Sequence, residues 1–200
     1  MKRLARDAGL LLLTCALAVS ATLAWRQWTS PAIANAEKQL QSRQRLAVLP
    51  AGIHDNQPLD NPLPKPAAQR PNSRILAAYR ATMAGKPTAI ILITQTQGYA
   101  GPIVLSVAIT INGRLIGSQV VEQQESPGLG ARLGDPKLHW LEQFANRDLG
   151  DHWALQRDQG DFDQLAGATV TSRAVITALQ EALSYFDEQR SVLLKDNGHE

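Results

Sequence analysis

The stretch from Ile103 to Gln123, "IVLSVAITINGRLIGSQVVEQ", constrains the fold more than any other part of the chain. Ile103, Leu105, Val107, Ile109 and Ile111 recur at every second position, the period of a strand with one face buried. Asn112-Gly113 follows at once, and this pair tolerates the positive φ angles of a type I′ turn. The stretch reads as an antiparallel hairpin. "RILAAYRAT" (74–82) and "KPTAIILITQT" (86–96) supply two further strands around the turn "MAGKP". "DPKLHWLEQFAN" (135–146) predicts a helix with Asp135 as N-cap, Pro136 at its first position, and Leu138, Leu141 and Phe144 inward. A last helix is expected to start near Ser172, capped by Thr171 or Ser172, with Val175, Ala178, Leu179, Ala182, Leu183 and Phe186 on its apolar stripe. Strands followed by helices predict an α+β domain, an antiparallel sheet with flanking helices.

The N-terminus makes a separate demand. "MKRLARD" precedes an uncharged run of 18 residues from Ala8 to Trp25. As a helix that run spans roughly 27 Å at about 1.5 Å per residue, close to the ~30 Å hydrocarbon core of a bilayer. Trp25 and Trp28 stand where aromatic side chains favour the interface. Lys2, Arg3 and Arg6 hold the N-terminus in the cytoplasm and place everything after Trp28 outside, in the periplasm of a Gram-negative cell. A cleaved signal peptide with Val19 to Ala21 as its small-residue site is the competing reading. Both give the same compartment.

Beyond it, "PAIANAEKQLQSRQRLAVL" (31–49) reads as a membrane-proximal helix. Six of the eleven prolines fall between Pro50 and Pro71, a density that predicts an extended connector or insertion with little regular structure. The expected organisation is residues 1–7 cytoplasmic, 8–28 anchor, 29–73 helix and connector, 74–190 globular domain and 191–200 flexible tail.

Composition excludes several function classes. A net charge of +2, with scattered basic residues, gives no footprint for nucleic acid. One cysteine cannot form an internal disulfide, and four widely separated histidines show no metal-ligand spacing. No catalytic residue or metal site is assigned. What remains is a pair of glycine-containing loops. In "QQESPGLGARLG" (123–134), Gly128 and Gly130 let backbone approach a ligand closely. In "DQLAGATVTS" (163–172), Ala166, Gly167 and Ala168 leave space around Thr169, ahead of a helix whose free N–H groups favour an anion.

The two loops together carry a resemblance. The order "GYAGPI" (98–103), hairpin, "ESPGLG" (125–130), tryptophan-containing helix, "HWALQRDQGDFDQLAGATVTS" (152–172) and C-terminal helix resembles the G subunit of Rnf/Rsx-type ion-translocating electron-transfer complexes. It is similar, more distantly, to the C subunit of the sodium-translocating NADH:quinone reductase. The resemblance covers about Gly98 to Phe186. It implies a single-pass protein of the bacterial inner membrane with a periplasmic FMN-binding domain. One FMN would be joined covalently, through its phosphate, to the hydroxyl of Thr169. The family motif places Asp163 in transferase recognition, with Ala166, Gly167 and Ala168 leading to the acceptor; Ala166 stands where the family usually has Ser or Thr.

The resemblance further implies that Glu125, Ser126, Gly128 and Leu129 line the flavin ring, and offers Leu155 and Arg157 for ring packing and charge. Ser126 replaces the more usual Thr and keeps the hydroxyl. The implied partners are the other subunits of the membrane complex and a Mg-dependent flavin transferase that uses FAD. The implied function is an electron relay, coupled by the complex to ion movement. A membrane-tethered flavin sensor or regulatory module is the alternative, and a structural module with an unmodified loop is a third.

Overall fold

A computed structural model describes residues 14–15, 17–23, 25–28, 45–50, 52–60, 62–63, 69–135 and 137–195. It divides into two units, Met1–Ser42 and Arg43–Glu200. In the first, the described residues between 14 and 28 are helical. Among the described residues no helix is long and apolar enough to cross a membrane. Most of the expected helix at 31–49 and eight of the 18 residues of the apolar run at 8–25 lie outside the described residues.

The second unit is built on a four-stranded antiparallel meander in the order β1 (Ser73–Met83), β2 (Lys86–Gln97), β3 (Pro102–Thr110) and β4 (Leu115–Gln123). Ile90, Leu92, Ile103, Leu105, Val107 and Ile109 form one buried face. The C-terminal helix α1 (Thr169–Leu193) covers that face with Val175, Ile176, Leu179, Leu183 and Phe186. Burying each such large side chain stabilises the fold by about 2 kcal/mol. Packing therefore holds α1 in place without a strong cap.

Alternation on β3 captures only half of its environment. Ile91, Ile93, Val104 and Ala108 form a second apolar face, covered by Val48 and Leu49 with Leu46, Ile53 and Leu59. The connector at 50–71 has little regular structure among its described residues, and it packs rather than standing free. Its described residues are seated on the sheet: Asp55 N–H donates to Thr82 O, Leu63 N–H to Ala78 O, and Thr88 Oγ1 to Ile53 O. Proline removes backbone donors and regular helices, but it does not prevent a segment from packing or from pairing one residue at a time. Leu193, placed in the flexible tail by the sequence, is buried, and its carbonyl accepts from Arg80 Nε.

Three local expectations also change. The turn at Asn112-Gly113 is not type I′, because among its residues only Gly113 has positive φ (+85°). Gly113 N–H donates to Thr110 O and Thr110 N–H to Arg114 O, giving a longer loop that ends on a glycine bulge. Positive φ at two successive turn positions occurs instead at Ala84 (+49°) and Gly85 (+76°), between β1 and β2. The helix expected at 135–146 is a turn followed by a single 3₁₀ helix, Trp140–Phe144, entered through a left-handed His139. Asp135 caps that turn by accepting from Lys137 N–H, while Pro136 lies outside the described residues. Finally, α1 begins at Thr169, three residues before Ser172.

Candidate functional site

The site is made where three connections meet at one end of the sheet. After β4 the chain turns through Pro127 and Gly128, with Leu129 N–H and Ala131 N–H both donating to Ser126 O. Gly128 holds a φ of +79°, and no other part of the chain crowds it, since a Cβ there would meet no protein atom within 4 Å.

The segment before α1 rests on an aromatic layer. Phe162 lies 4.8 Å from both Phe144 and Trp153, centroid to centroid, and Trp140 packs edge-on against Phe144 at 5.2 Å. Trp153 Nε1 donates to Asp148 O, and Trp140 Nε1 to Asp163 O. These contacts deliver Leu165 to Ala168 in a turn closed by Ala168 N–H to Leu165 O, with Gly167 at φ +76°. A Cβ on Gly167 would stand 2.8 Å from Leu129 Cδ2, so this glycine is what lets the two loops touch.

Ala168 occupies the N-cap of α1, and no side chain caps it. The first-turn N–H groups of a helix have no acceptor within the helix, so those of Thr169, Val170 and Thr171 face the loops with the positive end of the helix dipole. Neither expected capping hydroxyl caps. Ser172 Oγ accepts from Leu165 N–H and donates to Ala168 O, which braces the turn. Thr171 Oγ1 donates to Glu125 Oε2 at 2.6 Å.

A cleft of about 360 Å³ opens between the loops, lined by Tyr99, Glu125, Ser126, Leu129, Gly130 and residues 167–171. Six of the sequence-derived residues therefore converge: Glu125, Ser126, Leu129, Gly167, Ala168 and Thr169. Thr169 is half-buried, and its hydroxyl donates to Gln164 Oε1 at 3.2 Å on the exposed side. Leu129 and Val170 expose apolar surface beside it.

Four candidates stand elsewhere. Gly128 shapes the turn without lining the cleft. Leu155 is corrected from ring packing to the core, where it is 1% exposed and bridges to Phe162. Arg157 is exposed on the 3₁₀ turn Gln156–Asp158 and does not line the cleft. Asp163 is exposed and does not line the cleft, its N–H held by Gln143 Oε1. Gly130, singled out in the sequence with Gly128, also lines the cleft; sequence reasoning missed Tyr99 and Val170 and gave Thr171 only a capping role. Tyr99, exposed between Gly98 and Ala100, was the one with a visible signal, a bare aromatic in a loop that the motif order already included.

Comparisons with known proteins place the sequence in a family. A family model described as an FMN-binding domain matches residues 98–184. The chain is similar to the G subunit of the ion-translocating oxidoreductase complex of Pseudomonas aeruginosa, 41% identical over 98% of this chain and 95% of that protein. It is similar to the protein of the same name from Pasteurella multocida, 43% identical over 72% of this chain and 74% of that one. Among solved structures, that of Shewanella oneidensis NqrC is 23% identical, covering 58% of this chain and 60% of that one with a TM-score of 0.48.

Proposed function

The chain belongs to the G-subunit family of ion-translocating oxidoreductase complexes, and from that premise we propose that it is a flavin-carrying electron-relay subunit with FMN esterified to Thr169. The observation that carries this reading is the position of Thr169, on the first turn of an uncapped helix and on the wall of the cleft. The residues present fit the group. Gly167 and Ala168 keep bulk away from the acceptor hydroxyl, the free N–H groups of α1 and its dipole favour a phosphodiester anion, and Leu129, Val170 and Tyr99 offer apolar and aromatic surface.

FMN, when bound, supplies the redox chemistry of the relay. The rest falls to the chain. Among the described residues no base stands beside the Thr169 hydroxyl, whose partner is the amide of Gln164. A partner enzyme therefore performs the attachment: the Thr169 oxygen forms the new bond to phosphorus as AMP leaves FAD. A reachable hydroxyl with small neighbours suits that task better than an activated one. Asp163, exposed on the same segment, is accessible to the transferase. Covalent attachment makes the effective concentration of the cofactor permanent, by the logic of linked binding sites, in a periplasm where a dissociable FMN would be lost.

Residues 8–28 anchor the protein in the inner membrane, the C-terminal unit lies in the periplasm, and the partners are the remaining subunits of the complex. Flavin fluorescence of the denatured full-length protein, made with and without a flavin transferase, tests the attachment. A fluorescent band that requires the transferase supports it; a dark band in transferase-containing cells contradicts it.

A further inference from the structure

Among the described residues, Glu125 is the only charged side chain that is buried, at 7% exposure. Its two oxygens are taken by different parts of the chain. Oε1 accepts from Ala100 N–H at 3.1 Å, and Oε2 accepts from the Thr171 hydroxyl at 2.6 Å. Its own N–H donates to Gln123 Oε1 at 2.8 Å. Gly98 and Gly130 close over the carboxylate: a Cβ on either would lie 2.2 Å from one of its oxygens. Three segments meet at one side chain, and a glycine in two of them makes room for it.

A buried carboxylate is a costly way to fill space, and apolar residues of similar volume often stabilise a core as well or better. The N-terminal turn of α1 offsets part of that cost through its dipole. What the carboxylate supplies that an apolar side chain would not is direction. Its bond to Thr171 fixes the rotation of the first helical turn relative to the loop of Glu125. Thr169 is two residues away on that turn, so fixing Thr171 also fixes where the Thr169 hydroxyl and the free N–H groups point.

We propose that Glu125 and Thr171 form a positioning pair that holds the first turn of α1 in register for flavin attachment at Thr169, with Glu125 acting through Thr171. The proposal rests on the reading of Thr169 given above. It reassigns Glu125 from contact with the flavin ring to support of the residue that carries it.

The test uses full-length protein in membranes, with the flavin transferase and FAD supplied, below the unfolding midpoint of every variant. Initial rates of covalent loading are read by mass spectrometry and denatured-gel fluorescence. Hydrogen exchange at the amides of Thr169 to Thr171 is read on unloaded protein. Thr171→Val, which keeps the shape and loses the donor, slows loading about tenfold, equivalent to ~1.4 kcal/mol in the barrier, and speeds exchange at those amides. Thr171→Ser restores both. Adding Thr171→Val to Glu125→Gln slows loading little further, because the two residues act as one unit.

A purely structural pair would lower the unfolding midpoint yet leave the loading rate of folded protein unchanged, and that result overturns the proposal. So does a Thr171→Ser protein as slow as Thr171→Val. If Thr171→Val does not fold, Glu125→Gln against Thr171→Ser decides: equal rates overturn the proposal. Unmutated protein that takes no covalent flavin, or flavin that persists in Thr169→Ala, removes the Thr169 reading and this one with it. Loading that depends on Thr169 but ignores Thr171 removes this proposal alone.

Discussion

Gly167 and Gly128 both hold positive φ angles, +76° and +79°, yet they carry different constraints. An alanine at Gly128 meets open space and bears only the left-handed backbone cost of about 1–2 kcal/mol. An alanine at Gly167 bears that cost and also presses on Leu129 Cδ2. Gly167→Ala should therefore lose more stability in urea unfolding than Gly128→Ala, and it should alter flavin absorbance because Leu129 must move. Equal losses and identical spectra would show that Leu129 yields freely.

At this scale the place of Thr169 on the cleft wall was legible, because its neighbours are small and its position at a helix start is set by local sequence. The partner of Thr171 was not. A capping role is a local guess, whereas Glu125 lies 46 residues earlier and reaches Thr171 only through the fold. The core position of Leu155 was equally hidden, since its environment comes from Phe162 and the aromatic layer above it.

The turn between β1 and β2 places a non-glycine residue, Ala84, at φ +49°. Ala84→Gly removes the steric cost of that conformation and adds back part of it as chain entropy, for a net gain of about 0.5–1 kcal/mol. Asp55 Oδ2 accepts from the Ala84 N–H and is unaffected by the change. A lower urea midpoint for Ala84→Gly would contradict this account of the turn.

The loop beneath the aromatic layer depends on pH through Asp151. Burial alone would raise its carboxyl. The Asp148 N–H, the Arg147 guanidinium at 2.9 Å and the charge of Arg114 outweigh burial and hold it below its ordinary 3.8. A depressed folded-state pKa means that this stabilisation is fully present above the unfolded value and is lost as pH falls through the folded one. Asp151→Asn should flatten the decline of the thermal midpoint below about pH 4; an unchanged acid limb would exclude the role.

Strands were legible from their period of two. The helix at 135–146 was misread for a physical reason: Leu138, Leu141 and Phe144 are spaced by three, the repeat of a 3₁₀ helix as much as an α-helical stripe. The covering of the second sheet face left one sign, the unbroken apolar run Ala89 to Ile93, which asks for burial on both sides.

For the whole molecule, the expectation that most needs a measurement is topology. A reporter fused after Glu200 should be active only outside the cytoplasm, and the mature protein should keep residues near Met1. N-terminal sequencing that starts at Thr22 would replace the anchor with a cleaved signal.

The compact unit from Arg43 to Glu200 brings one face of one helix end to a cleft, and the relay function rests on what that cleft carries. The most direct measurement is tandem mass spectrometry of the tryptic peptide Asp158–Arg173 from protein made with a flavin transferase. It contains Thr169, Thr171 and Ser172, so fragmentation distinguishes the three hydroxyls. The account predicts a mass increase of FMN less water on Thr169 alone. An adduct on Thr171 or Ser172, or an unmodified peptide throughout, would contradict it.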